Sequence, residues 1–242
     1  MNTVLLGSSL SALSTGLGAL IILFITDAVT HRFRDIILAF TAGIMMAASV
    51  LGLIPEALEL GGYIPLCIGI YFGVAMLATL EKNIPHIDLQ HTIVRVSIDE
   101  KAMLVIAAIT LHNIPEGLAV GVSYASSLDE TGNMIAFAIG LQNMPEGFLV
   151  ALFLFNQEVS KFKAFLIATA TGAIEIVSAT IGYYLTSIAG NLIPFGLAFS
   201  AGAMLFIIYK ELIPESHGDG NERAATYSFI IGLLVMILLL GN

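Results

Sequence analysis

Charged residues are scarce in this chain, and few of them are basic. Only 11% of its 242 residues are charged, whereas 57% are hydrophobic and the mean hydropathy is +0.94. This composition excludes an ordinary soluble globular protein and is typical of membrane proteins. Lys and Arg together number nine and are scattered along the chain, which excludes a nucleic-acid-binding surface. The lipid bilayer is therefore the first partner that the sequence predicts.

Cysteine is almost absent as well. The single residue, Cys67, excludes an internal disulfide and a zinc site built from thiolates. The amino terminus has no Lys or Arg before its first apolar run, so it is not interpreted as a cleaved secretory signal. We therefore treat residues 1–242 as one transmembrane domain.

Long hydrophobic runs are what the chain has in abundance. About 20 apolar residues are needed to cross the hydrocarbon core of a bilayer, and eight segments meet that requirement. They lie near residues 4–26, 36–58, 62–80, 102–125, 133–155, 163–187, 191–213 and 224–241. The one long connection, 81–101, carries His86, Asp88 and His91. We interpret it as a solvated loop and leave weak metal binding there open.

The basic residues predict the orientation of these spans. All nine fall on the same side of the eight-span arrangement: Arg32, Arg34, Lys82, Arg95, Lys101, Lys161, Lys163, Lys210 and Arg223. The positive-inside rule makes that side cytoplasmic, which places the 81–101 loop inside and both termini outside. The predicted location is the cell (inner) membrane, crossed several times.

Two stretches of the chain repeat at a constant distance. AGIM at 42–45 followed by LIPE at 53–56 matches AGAM at 201–204 followed by LIPE at 212–215, which is 159 positions later. Because the two spans run in opposite directions, the match predicts an inverted repeat that relates spans one to three with spans six to eight. Spans four and five then form a central pair. Inverted repeats with a polar site near the membrane midplane recur in transporters.

The central pair contains two closely similar motifs. HNIPEG at 112–117 returns thirty positions later as QNMPEG at 142–147, about midway along a predicted span in each case. A carboxylate at that depth costs about 2.5–3.5 kcal/mol on insertion scales, so Glu116 and Glu146 are expected to have a function or a partner. Glu175 lies near the middle of span six. Three buried carboxylates without an intramembrane Lys or Arg must bind cations or take up protons.

The spacing within the motifs predicts how their polar side chains are grouped. Residues three or four positions apart share one face of a helix, so each motif presents its glutamate together with the two preceding polar residues. If the two helices face each other, their glutamates could bridge two cation positions. His112 and Gln142 would complete one position, and Asn113 and Asn143 would complete the other.

Two further features of the motifs bear on the kind of ion. Pro115 and Pro145 each leave a helical carbonyl without its usual donor, which an ion could satisfy, although a simple kink is the alternative. A proton relay through carboxylates and histidine competes with metal binding, but the amide side chains favour metal. Met45 lies at similar depth, and its thioether would favour Zn²⁺, Cd²⁺ or Fe²⁺ over Mg²⁺ if it is a ligand instead of a packing residue.

Carboxylates near the ends of two spans are candidates for the path of the ion. Glu56 lies at the outer end of span two, and Glu211, Glu215 and His217 lie at the inner end of span seven. Solvated helix caps are the alternative interpretation of these residues.

These motifs resemble those of the ZIP family (Zrt-, Irt-like proteins) of divalent metal transporters, in its prokaryotic branch. The resemblance rests on HNIPEG, QNMPEG, the region of Glu175 and KELIPESH at 210–217, and it extends over essentially the whole chain. It implies an all-α integral membrane protein with eight transmembrane helices in a 3+2+3 inverted-repeat arrangement. Lys210 stands where some members carry a metal-binding histidine, which weakens the case for an exit site there.

The resemblance also implies a two-metal site between spans four, five and six. One position would comprise His112, Glu116, Gln142, Glu146 and Met45. The other would comprise Asn113, Glu116, Asn143, Glu146 and Glu175. The implied activity is uptake of Zn²⁺ into the cytoplasm, with Cd²⁺, Fe²⁺ and Mn²⁺ as further cargo, and a homodimer is left open. An intramembrane metal-dependent hydrolase is the rival function, but the chain has no HExxH helix.

Overall fold

Helices make up nearly all of the structure, a computed structural model that describes residues 2–26, 29–83, 98–126, 129–218 and 220–241. Within these ranges the chain forms ten α-helices and no strand. They are α1 (Asn2–Leu20), α2 (His31–Ala47), α3 (Ile54–Gly61), α4 (Tyr63–Asn83), α5 (Ile98–Ala125), α6 (Asp129–Asn156), α7 (Lys161–Ile188), α8 (Ile193–Ile207), α9 (Ile213–Ser216) and α10 (Glu222–Leu240). The predicted all-α class is confirmed. His86, Asp88 and His91 lie outside the described residues.

Most of these helices are long and apolar enough to cross a bilayer. Seven continuous helical stretches of the described chain meet that criterion: Asn2–Leu23, His31–Gly61, Tyr63–Leu80, Thr131–Asn156, Lys161–Ile188, Gly190–Ser216 and Glu222–Leu240. The eighth long helix is α5, with 28 residues. Large apolar side chains point outward from the bundle, as at Leu6, Ile64 and Leu238, where lipid would cover them. The chain is therefore an integral membrane protein, as the composition predicts.

The second and seventh predicted spans are each interrupted by a wider helical turn. A π-helical segment, Ala48–Leu53, joins α2 to α3, and another, Ile208–Leu212, joins α8 to α9. Each is followed at once by an Ile-Pro-Glu sequence, and the two segments end 159 positions apart. The sequence repeat is thus matched by a repeat in the backbone. π segments inside helices are frequent at functional sites.

Helix contacts follow the same repeat. A Cβ atom added to Gly73 of α4 would lie 2.1 Å from the Phe199 carbonyl oxygen of α8, and one added to Gly232 of α10 would lie 2.2 Å from the Phe40 carbonyl oxygen of α2. Gly232 lies 159 positions after Gly73, and Phe199 lies 159 positions after Phe40. The α4–α8 pair and the α2–α10 pair are therefore equivalent, and both approach closely because glycine has no side chain.

The remaining long helices enclose the polar residues of HNIPEG (112–117) and QNMPEG (142–147), called the twin motifs below. α5 packs along α7, and α6 packs along α1, while α5 also contacts α6. Apolar side chains fill the rest of the interior, including Ile139, Leu197 and Met204, all buried. The polar core of the protein thus lies among α1, α5, α6 and α7.

Candidate metal centre

The two glutamate motifs lie within continuous helices. Pro115 is inside α5 and Pro145 is inside α6, and neither ends its helix. Each proline lacks the N–H that would bond the carbonyl four residues earlier, so a polar backbone oxygen is released beside each motif. The glutamates that follow are brought together with Glu175 of α7, whose side chain is fully buried.

Gln142 holds Glu116 across the contact between α5 and α6. Its Nε2 donates to Glu116 Oε1 at 2.5 Å, and neither residue is exposed. Among the described residues, the other oxygen of each side chain, Glu116 Oε2 and Gln142 Oε1, is buried without a hydrogen-bond partner. Buried polar atoms are rarely left unpaired, so these two oxygens are candidates for contact with a positively charged ligand.

His112 lies between two carboxylates. Its Nε2 is 2.9 Å from Glu211 Oε2, and its Nδ1 is 4.0 Å from Glu146 Oε1. Glu146 Oε2 is also buried with no hydrogen-bond partner in the described part of the chain. Glu211 belongs to the π segment Ile208–Leu212, so that segment brings an acidic side chain to the imidazole of the first motif.

Glu175 is held more completely than the other two glutamates. Asn143 Nδ2 lies 2.8 Å from Glu175 Oε1 and 2.9 Å from Oε2, and it donates to this carboxylate. Ser11 of α1 donates its hydroxyl to Glu175 Oε2 at 2.7 Å. Both oxygens of Glu175 are therefore engaged, while Asn143 Oδ1 is buried without a partner among the described residues.

The asparagines of the two motifs occupy equivalent places in the repeat. Asn113 donates to the Thr171 carbonyl of α7 at 2.9 Å, and Asn143 donates to the Ser11 carbonyl of α1 at 3.2 Å. Glu175 follows Thr171 by four residues, and Thr15 follows Ser11 by four residues. By these contacts, Thr15 of α1 is the equivalent of Glu175 of α7. The repeat is therefore asymmetric at this position, with a hydroxyl in one half of the molecule and a carboxylate in the other.

The combined donor set is rich in oxygen and contains one imidazole. Oxygens of Glu116, Gln142, Asn143 and Glu146 are buried without hydrogen-bond partners in the described regions. In the same regions, no three His, Cys, Asp or Glu side chains are close enough to form a metal cluster by themselves. Two of the four unpaired oxygens belong to amides, those of Gln142 and Asn143. Carboxylate, amide and imidazole ligands together suit borderline and hard divalent ions.

The other predicted residues are placed less centrally. Met45 is buried in the apolar cluster of the bundle, beside residues such as Ile139. Glu56 is buried in the first turn of α3. Glu215 is half-buried, and His217 Nδ1 lies 3.0 Å from the Ile213 carbonyl and 3.0 Å from the Ser216 hydroxyl. Their roles as ligand or path residues stay predictions.

The sequence did not predict that α1 contributes side chains to this site. Ser11 contacts Glu175 directly, and Thr15 of the same helix is also buried. The first span is rich in hydroxyl residues, with Ser8, Ser11 and Thr15 on one side of its helix. This row of hydroxyl residues is visible in the sequence, but only the fold shows that it faces α7, the sixth predicted span.

Comparison with known proteins identifies the family of this chain. The family model described as ZIP zinc transporter matches residues 82–240. The chain belongs to the ZIP zinc transporter family. It is 35% identical to a protein named zinc transporter GufA of Myxococcus xanthus, over 99% of this chain and 98% of that relative.

Two further relatives are similar over most of their lengths. Zinc transporter ZIPB of Bordetella bronchiseptica is 33% identical, over 97% of this chain and 79% of the relative. Zinc transporter ZupT of Streptococcus mutans is 32% identical, over 97% and 95%. The family is one of transporters and not of enzymes, so membership supports divalent metal transport and the hydrolase alternative is not favoured.

Proposed function

We propose that this ZIP family member takes up divalent metal ions into the cytoplasm, with Zn²⁺ as its main cargo and Cd²⁺, Fe²⁺ and Mn²⁺ as further cargo. The ions would bind at a two-ion site between α5, α6 and α7. One position would use His112 and Gln142, the other Asn113, Asn143 and Glu175. The glutamates of the two motifs would serve both positions.

The observation that carries this proposal is the set of unpaired oxygens in the bilayer interior. Gln142 and Asn143 each donate an amide N–H to a carboxylate and leave the amide oxygen without a hydrogen-bond partner among the described residues. The same holds for one oxygen of Glu116 and one of Glu146. A cation would satisfy these atoms and neutralise charge that no Lys or Arg of the twin motifs offsets. These oxygen ligands do not form a closed coordination shell, so an ion bound to them could also leave.

The basic residues support a particular orientation of the chain in the membrane. Lys161 and Lys163 begin α7, and Arg32 and Arg34 lie in the first turn of α2, at the ends that the positive-inside rule assigns to the cytoplasm. The termini would then lie outside. Labelling of cysteines placed at the two termini with an impermeant reagent in intact cells tests this orientation, and protection of both termini would contradict it.

Uptake of radioactive zinc into reconstituted vesicles tests the proposed function. Vesicles with the unaltered chain should accumulate Zn²⁺ faster than protein-free vesicles, and Glu146→Ala should reduce this uptake to background because its carboxylate would serve both ions. Glu222→Gln, a change at an exposed position of α10, is the matched control and should transport normally.

Two results would contradict the proposal. The first is an unaltered chain that gives no zinc uptake above protein-free vesicles. The second is undiminished uptake by Glu146→Ala, which would show that the ion does not depend on this motif.

A further inference from the structure

A hydroxyl of α1 touches the metal centre from outside the twin motifs. Ser11 Oγ donates to Glu175 Oε2 at 2.7 Å and lies 3.1 Å from Asn143 Nδ2. Ser11 is 1% exposed and Glu175 is fully buried, so water does not compete for this contact. A hydrogen bond to a buried charged group contributes more to stability than one between neutral groups.

A carrier must be stable with its site empty as well as occupied. An empty site leaves three glutamates inside the membrane, and burying an unpaired carboxylate is costly. Glu116 and Glu146 each retain an oxygen that no described residue pairs, but Glu175 has both oxygens engaged. Of the three, Glu175 is therefore the carboxylate that the protein itself stabilises best when no ion is present.

The contact with Ser11 must change when an ion binds Glu175 through Oε2. An oxygen that accepts the Ser11 hydroxyl and the Asn143 amide can coordinate a cation only if at least one of these donors is weakened or turns away. A serine hydroxyl can do so by rotating about one bond, because it is both a donor and an acceptor. Ser11 thus competes with the ion for Glu175.

We propose that Ser11 is a positioning residue that stabilises Glu175 in the ion-free state and thereby promotes release of the ion bound there. This inference rests on the proposed function. Thr15, one helical turn further, presents a second buried hydroxyl on the same side of α1. Ser11 and Thr15 together give α1 a polar side that faces Glu175.

The test compares Ser11→Ala with Ser8→Ala. Both remove one buried hydroxyl from α1, but Ser8 Oγ donates to the Val4 carbonyl of its own helix at 2.8 Å instead of to the site. Zn²⁺ affinity is measured by calorimetry on detergent-purified protein, and zinc uptake is measured in vesicles. Thermal unfolding confirms that each variant is folded.

Loss of the Ser11 hydroxyl should tighten zinc binding and slow turnover. We expect Ser11→Ala to lower the Zn²⁺ Kd and the uptake KM by about tenfold and to lower the maximal uptake rate, because the empty state loses one charged hydrogen bond. Ser8→Ala should leave all three quantities unchanged. A purely structural role for Ser11 would not produce lower KM together with lower maximal rate.

Other outcomes overturn the inference. An unchanged or raised Kd for Ser11→Ala would do so, as would the same change in Ser8→Ala. Ser11→Thr keeps the hydroxyl and should retain the original Kd, and a Ser11→Thr chain with tightened binding would also contradict it. Failure of the proposed function is recognised separately, because the unaltered chain would then take up no zinc.

Discussion

At the scale of single residues, amide side chains determine which oxygens an ion can reach. Gln142 and Asn143 direct their N–H groups at Glu116 and Glu175, and their own oxygens have no hydrogen-bond partner among the described residues. An amide can do this because it has a donor and an acceptor on the same planar group. The first position of the second motif is Gln142, where the first motif has His112, so the donor set contains one imidazole from this pair instead of two.

This difference predicts that Gln142 limits the preference for zinc. Gln142→His should increase Zn²⁺ uptake relative to Mn²⁺ uptake several-fold, because imidazole nitrogen favours zinc more than amide oxygen does. Competition between the two ions in vesicles measures the ratio. Gln157→His, just beyond the end of α6, supplies the control and should leave it unchanged. A ratio that does not respond in Gln142→His would show that this position does not contact the ion.

From the sequence alone, the carboxylates and amides of the candidate site can be predicted, but the side chains that surround them cannot. Carboxylates at mid-membrane and their amide neighbours are visible as a motif, because polar residues are rare in such spans. The hydroxyl of Ser11 is not, because serine is common in membrane helices and usually bonds its own backbone, as Ser8 does. Glu211 was predicted as a path residue, and its contact with His112 depends on a π segment that no local pattern reveals.

At the scale of helices, matched glycines hold equivalent pairs of spans together. Gly73 lets α4 approach α8, and Gly232 lets α10 approach α2, each against a backbone carbonyl. The sequence repeat at 42–45 and 201–204 indicated this symmetry, although it did not show which helices touch. Contacts between spans depend on which helix faces meet, and a membrane helix that is apolar all round does not reveal its packing face.

Alanine at either glycine should therefore destabilise the protein to a similar extent. A Cβ atom 2.1–2.2 Å from a carbonyl oxygen forces the backbones apart, and overpacking of this kind costs about 1–3 kcal/mol. Thermal unfolding in detergent should show comparable losses for Gly73→Ala and Gly232→Ala. Gly190→Ala is the control, since a Cβ there meets no atom within 4 Å among the described residues. Loss in only one of the two variants would contradict the equivalence of the pairs.

At the scale of the whole molecule, the fold separates a polar centre from an apolar exterior. α1, α5, α6 and α7 enclose the site, while the pairs α2–α10 and α4–α8 repeat each other beside it. Gln142 and Glu116 join the two motifs, and the contacts of Asn113 and Asn143 place Thr15 where α7 has Glu175, which leaves the charge on the side of α7. The chain that folds in this way belongs to the ZIP zinc transporter family.

The central claim is that this asymmetric centre holds two divalent ions. The number of zinc ions bound per chain at saturation, measured by equilibrium dialysis of the detergent-purified protein, tests it most directly. Glu175→Gln removes one carboxylate from one position only, and Glu222→Gln serves as the exposed control. We expect two ions for the unaltered chain and the control, and one ion for Glu175→Gln. One ion in the unaltered chain, or two in Glu175→Gln, would contradict it.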